Sequence, residues 1–128
     1  MPPIIDRMAR YVFEGDVRSD GRIHHRRFKP KQGESLSVYD IEGFDHNESC
    51  EHGRKYTDNV TVGRIHTGYG VLRQRTVSEL SLSVIYDNNP PRHISIELPE
   101  DERRLEIAKA LAASADFKDC KRVALLHK

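Results

Sequence analysis

Tryptophan is absent from this 128-residue chain, aromatic residues make up only 7% of it, and there are two cysteines. With so few rings, a base-stacking platform has little to draw on. Tyr39, Tyr56 and Tyr69 are the tyrosines outside the expected core that could serve one. Two cysteines, Cys50 and Cys120, are too few for the disulfide framework of a small secreted domain and are expected as free thiols. Residues 1–10 lack a basic segment followed by an apolar run, so no secretory leader is expected and a cytoplasmic setting follows. On that expectation the acceptor-like triplets Asn47-Glu48-Ser49 and Asn59-Val60-Thr61 are chance matches. Long hydrophobic runs are missing as well, and a mean hydropathy of −0.69 argues against a membrane protein. Gly-x-Ser-x-Gly, His-Glu-x-x-His and Cys-x-x-Cys motifs do not occur, nor do internal repeats.

Neither charge sign is in excess, with 21 basic and 20 acidic residues and a net charge of +1. This length suits one domain with a real core and is too short for two ordinary ones. The neutral total conceals an uneven distribution. Residues 1–32 carry 8 Lys/Arg against 4 Asp/Glu, a net +4, whereas residues 33–60 carry 2 against 7, a net −5. Arg22, Arg26, Arg27, Lys29 and Lys31 form the positive pole, together with the adjacent His24 and His25. The negative pole runs through Glu34, Asp40, Glu42, Asp45, Glu48 and Glu51. A basic cluster of this kind suits contact with phosphate. The plainer reading is that the two poles neutralise each other in the fold, and the near-zero net charge favours it.

Periodicity predicts the elements. Ile4, Ile5, Met8, Tyr11 and Val12 lie at the spacing of an amphipathic helix, with Pro3 suited to its first turn and Gly15 to its end. Residues 35–41 alternate Leu36 and Val38 against Ser35, Ser37 and Tyr39, as a half-buried strand does. Residues 43–59 are polar and aperiodic and read as a long loop. Val60 and Val62 suggest entry to a brief strand, and the glycines of residues 63–70 suggest a flexible turn. In residues 79–87 Leu80, Leu82, Val84 and Tyr86 face one way, opposite Glu79, Ser81, Ser83 and Ile85. Residues 93–98 alternate likewise, and Asn88-Asn89-Pro90-Pro91-Arg92 joins the two as a hairpin. Pointing both apolar faces at one core pairs Tyr86 with Ile94, Val84 with Ile96 and Leu82 with Leu98, and brings Asp87 beside His93. Pro99 and three acids open a helix whose buried stripe is Leu105, Ala108, Leu111, Ala112 and Ala115, widened by Ile107. A tail with Phe117, Val123, Leu125 and Leu126 docks after it. The expected fold is a single α+β domain spanning 1–128, an antiparallel sheet with an N-terminal helix and a C-terminal helix packed on it.

Three clusters carry candidate chemistry. His46, Cys50 and His52 combine imidazole and thiolate, the ligand types zinc accepts, with His66 or His93 as a fourth. Their spacing matches no recognised finger, and a solvated loop is the preferred reading. His24 and His25 beside Arg26 offer a general acid or base with guanidinium stabilisation of a phosphoryl oxyanion, if His66, His93 or Arg64 joins from a distant strand. Gly63-Arg64-Ile65-His66-Thr67-Gly68-Tyr69-Gly70 lacks the Lys-Ser/Thr ending of a phosphate loop.

The segment Phe28-Lys29-Pro30-Lys31-Gln32-Gly33-Glu34-Ser35-Leu36-Ser37-Val38-Tyr39 resembles one found in short, uncharacterised bacterial proteins, in which a Phe-x-Pro turn precedes a Leu-Ser-Val strand. Arg92-His93-Ile94-Ser95-Ile96 before an acidic helix start is similar to their C-terminal half. The resemblance implies a small stand-alone bacterial domain with no activity attached, structural roles for Phe28, Leu36 and Val38, and His93 as the polar residue to test first. The split charge, the polar loop and the lack of a complete catalytic set lead to a binding or accessory module that docks onto a protein partner. The setting suggested is a bacterial defence or toxin-antitoxin-like system. The alternatives are a small nuclease or other phosphoryl-acting enzyme using His24, His25, Arg26 and His93, and a nucleic-acid-binding domain contacting its ligand through residues 22–31.

Overall fold

The computed structural model describes residues 6–57 and 66–120, with the side chains of Tyr56 and Thr57 outside that description. Ile4, Ile5, Val60, Val62, Arg64, Val123, Leu125 and Leu126 therefore lie outside the described residues. In chain order the elements are β1 (Arg7–Phe13), a short 3-10 helix (His25–Phe28), β2 (Leu36–Asp40), α1 (His46–Thr57), β3 (His66–Arg73) and α2 (Gln74–Glu79). Then follow β4 (Ser83–Ile85), β5 (His93–Glu97), α3 (Arg103–Ser114) and β6 (Asp116–Asp119). The six strands form one antiparallel sheet in the order β4-β5-β2-β1-β3-β6. This is the α+β class expected, built on a different N-terminus.

The predicted N-terminal helix is β1, paired on one side with β2 and on the other with β3. Helical spacing misleads here because β1 is buried on both faces. Met8 and Val12 join the larger core cluster with Leu36, Val38, Ile94, Ile96 and Leu111, while Ala9 and Tyr11 join a second cluster with Ile41, Tyr69 and Val71. A strand covered on both faces loses the apolar–polar alternation by which strands are read, and a run of apolar residues is left that helix periodicity also fits.

The expected loop of residues 43–59 is mostly α1. Asp45 Oδ1 accepts from the Glu48 amide at 2.8 Å, and Glu48 Oε1 accepts from the Asp45 amide at 3.1 Å. This reciprocal capping box satisfies two amide donors that would otherwise be orphaned and starts a helix with little apolar pattern of its own. Gly53 permits α1 to lie against the sheet, since a Cβ at that position would sit 2.6 Å from the Tyr11 ring. The glycine-rich turn expected over residues 63–70 gives way from His66 onward to β3. Gly68 and Gly70 belong to that strand because side chains there would strike the Lys118 carbonyl and Ile23.

The hairpin register is as expected at its centre, with Val84 opposite Ile96. Its first strand is shorter than residues 79–87, because Glu79 ends α2 and Leu80 caps it. In α3, Ala108, Leu111 and Ala112 are buried, and Arg104 is buried with them. The free-thiol expectation is overturned: Cys50 of α1 and Cys120 after β6 form a disulfide, with their Cα atoms 5.7 Å apart and a sequence separation of 70. Only the fold brings them within bonding reach. Tying two such distant points together contributes stability of about 2–4 kcal/mol.

Arg104, only 3% exposed, stitches α3 to the turn before β2. Its guanidinium donates to the carbonyls of Pro30, Lys31, Glu34, Leu98 and Pro99 and to Glu100 Oε1, at 2.6–3.2 Å. Removing it leaves those carbonyls without their shared donor, and a lysine cannot reproduce the planar fork. Arg104→Ala and Arg104→Lys are both expected to lower unfolding free energy in urea by about 2–4 kcal/mol. Arg103→Ala, which removes an exposed pair with Asp101, is expected to change it by less than about 0.5 kcal/mol.

Candidate functional site

The sheet separates the predicted site residues onto two faces. On the face carrying Ala9 and Tyr11, α1 covers β1 and β3, and a group of histidines and tyrosines lies beneath and beside it. His46 bridges the Tyr69 hydroxyl (Nδ1, 2.9 Å) and the Asp119 carbonyl (Nε2, 3.0 Å). A carbonyl only accepts, so Nε2 carries the proton and Nδ1 accepts from Tyr69. His52 Nδ1 lies 2.8 Å from the Tyr11 hydroxyl, which itself donates to the Ser49 carbonyl. Tyr39 packs its ring against His52 (5.1 Å) and His93 (5.4 Å), and His66 sits against Tyr11 and Phe13.

Burial, followed by the nearby Arg92 charge, lowers the His52 pKa to about 4. The same burial drives Tyr11 and Tyr69 well above the ordinary tyrosine range. These rings are held neutral as packing and hydrogen-bonding groups. At the sheet's other end, His93 Nδ1 lies 2.6 Å from Asp87 Oδ1, as the hairpin register predicted, and Ser95 donates to Asp87 Oδ2 at 3.0 Å. The His93 contact, followed by that of Ser95, holds Asp87 below the usual carboxylate range.

The zinc candidates do not converge as a ligand set. Cys50 is in the disulfide, both His46 nitrogens have bonding partners and His52 turns to Tyr11. Among the described residues no group of three or more His, Cys, Asp or Glu is placed to hold a metal ion.

The basic segment lies against the opposite face, where the 3-10 helix packs on α3. Two of its predicted binding residues are engaged within the chain, Arg27 half-buried and Arg26 at the surface. Arg27 donates to the Tyr11 carbonyl, stands 3.5 Å from Asp16 and stacks over the Phe13 ring at 4.8 Å. Arg26 donates to the Gly15 carbonyl and approaches the same Asp16 at 3.8 Å. Asp16 is buried and also accepts from the Phe13 amide. Asp16 faces Arg26 and Arg27 of the positive pole, while Asp40 of the negative pole faces Arg92 at 3.9 Å. His24 caps the 3-10 helix by accepting from the Arg26 amide, with its ring stacked 4.4 Å from His25. Lys29 and Lys31 point to solvent.

Arg22 and His25 instead line an open hollow of about 330 Å³ with Arg18, Lys109, Ile23, Ala112 and Ala113. Desolvation, His24, Lys109, Arg18 and Lys29 all hold the His25 pKa below its ordinary value. His93 stands on the far side of the sheet, so the structure does not bring it to His24, His25 and Arg26. Sequence reasoning missed Arg18 and Lys109. Arg18 was reachable from the Asp20-Gly21 turn, which folds it back toward Arg22, but Lys109 meets them only through the packing of α3. No family model, curated protein or solved structure matches this chain.

The low His52 pKa has a consequence for stability. The unfolded chain takes up a proton at His52 near the ordinary value of 6.5 and the folded chain only near 4, so its contribution to stability is fully present above pH 6.5. As pH falls from 6.5 toward 4 the unfolded state binds the proton first and stability drops. Denaturant melts of wild type and His52→Gln across this window are expected to show a shallower fall for the variant, whose side chain keeps a partner for Tyr11. Equal slopes would show that His52 is not the group titrating.

Proposed function

We propose that this is a protein-binding module that docks an extended segment of a partner chain along the outer edge of β4. The carrying observation is Ile85, the large hydrophobic residue left exposed (46%) among the described residues, on an uncharged edge strand, Ser83-Val84-Ile85. The opposite edge, β6, reads Asp116-Phe117-Lys118-Asp119, and its charges discourage pairing with another chain. An edge strand offers main-chain donors and acceptors to an added strand, and alternate side chains of that strand then select their pockets. A hollow of about 310 Å³ beside the start of β4, where Ser81, Glu97 and Arg103 stand among Leu80, Leu98 and Ile107, suits a side chain of mixed polar and apolar character on the incoming segment. A bacterial defence or toxin-antitoxin-like system is the setting proposed for such a partner.

The experiment places a photoreactive residue at position 85 and, separately, at position 118, and irradiates cells that express the protein with its native operon. A discrete adduct from position 85 and none from position 118 is expected, and Ile85→Lys should abolish co-purification of the same partner while leaving the melting temperature nearly unchanged. Equal labelling from both positions, or a chain that stays monomeric and unpartnered, would overturn the reading.

Among the described residues no helix is long and apolar enough to cross a membrane. The cytoplasmic setting is itself a proposal, and the disulfide weighs against it, because such bonds are rare in reducing compartments. Alkylation of protein taken directly from its native cells decides between them: both cysteines modified in a reducing compartment, both protected in an oxidising one.

A further inference from the structure

The hollow between the 3-10 helix and α3 has the composition of an anion site, and we infer that it binds the phosphate group of a small phosphomonoester. It lies against the sheet face opposite Ile85 and does not depend on the docking proposed for β4. Arg18, Arg22, His25 and Lys109 line it, and among the described residues no carboxylate does. Arg18, Arg22 and His25 lie within eight residues of one another, and the fold adds Lys109 from α3 to them. Arg26 and Arg27, which dominate the basic run in sequence, are engaged with Asp16 and leave the hollow to the others.

The guanidinium-bearing residues are held in place by backbone structure. Val17 and Ile23 form an isolated antiparallel bridge, and the Arg18 amide donates to the Arg22 carbonyl at 2.7 Å. Asp20 Oδ1 accepts from the Arg22 amide, closing the turn, and Gly21 supplies the positive φ of 86° it requires. Arg18 and Arg22 are thus paired across one small hairpin, a geometry suited to gripping a dianion from two sides. Lys109 reaches in from α3, with Glu106 a distant competitor at 3.9 Å on an exposed surface. Ala112 and Ala113 keep the α3 wall low, and the buried Ile23 lies at the floor. A volume of about 330 Å³ is at the small end of ligand pockets, which fits a phosphorylated small molecule better than a polymer.

The test titrates the full chain with inorganic phosphate, adenosine monophosphate and adenosine at fixed ionic strength, following amide NMR shifts. Both phosphate-bearing probes are expected to shift the amides of Arg22, His25 and Lys109, with adenosine monophosphate binding roughly tenfold or more tightly than adenosine. Arg22→Ala and Lys109→Ala should each weaken the phosphate probes by roughly tenfold, while Arg75→Ala, a loss of an exposed arginine on α2, should not. Both substituted side chains are exposed, and an unchanged melting temperature confirms that the fold is kept. Equal affinity for adenosine and its monophosphate, or no shift in these amides with either phosphate probe, overturns the site. A single-stranded oligonucleotide that binds tightly and loses as much affinity with Lys29→Ala or Lys31→Ala as with Arg22→Ala overturns it too, in favour of an extended nucleic-acid face.

Discussion

Everything in this fold is arranged around a strand that must be covered twice. β1 runs through the middle of the sheet with Met8 and Val12 on one face and Ala9 and Tyr11 on the other, all buried. Each face therefore needs its own cover: α3 with the 3-10 helix on one side, α1 on the other. The disulfide fastens the second cover to the end of β6, and Gly53 lets it come close enough to rest on Tyr11. Apolar burial of this kind is the main favourable term in folding, and here it also sets the geography of the polar groups. His24 and His25 lie with one cover and His46, His52, His66 and His93 lie on the other face.

Part of the charge that stands out in the sequence is taken up by architecture. Asp16 draws in Arg26 and Arg27, Arg104 collects the carbonyls of two turns, and Glu42 accepts from the backbone amides of Asp6 and Arg7. Buried charged groups need such partners, because desolvation without them is expensive. Lys29, Lys31, Glu34, Glu48 and Glu51 stay exposed, alongside a basic hollow on one face of the sheet and an uncharged strand at one edge.

Legibility in the sequence followed local physics. The alternation in β2 and β5 marks strands with one wetter face, and the core-facing register of Val84 and Ile96 also predicted the Asp87–His93 contact. The proline and acids before α3 announced a helix start. β1 does not read as a strand because double burial erases alternation, and α1 is marked by a capping box, Asp45-x-x-Glu48, and not by apolar periodicity. Gly68 and Gly70 read locally as a turn because the groups that exclude a Cβ there, the Lys118 carbonyl and the Phe117 and Ile23 side chains, are distant in sequence. The partner of Cys50 was hidden for a similar reason: it is Cys120, 70 residues away.

The sequence by itself determined the α+β class, the central register of the hairpin, the helix after Pro99 and the outward position of Ile85. Each depends on neighbours within a few residues, where side-chain direction alternates or rotates by a known period. Tertiary structure decided which arginines face inward, which cysteines pair, that Arg18, Arg22, His25 and Lys109 share one hollow, and that His93 stands apart from His24 and His25. Those outcomes depend on distances between remote segments, which the order of residues along the chain does not encode locally and only the closed, doubly covered sheet sets.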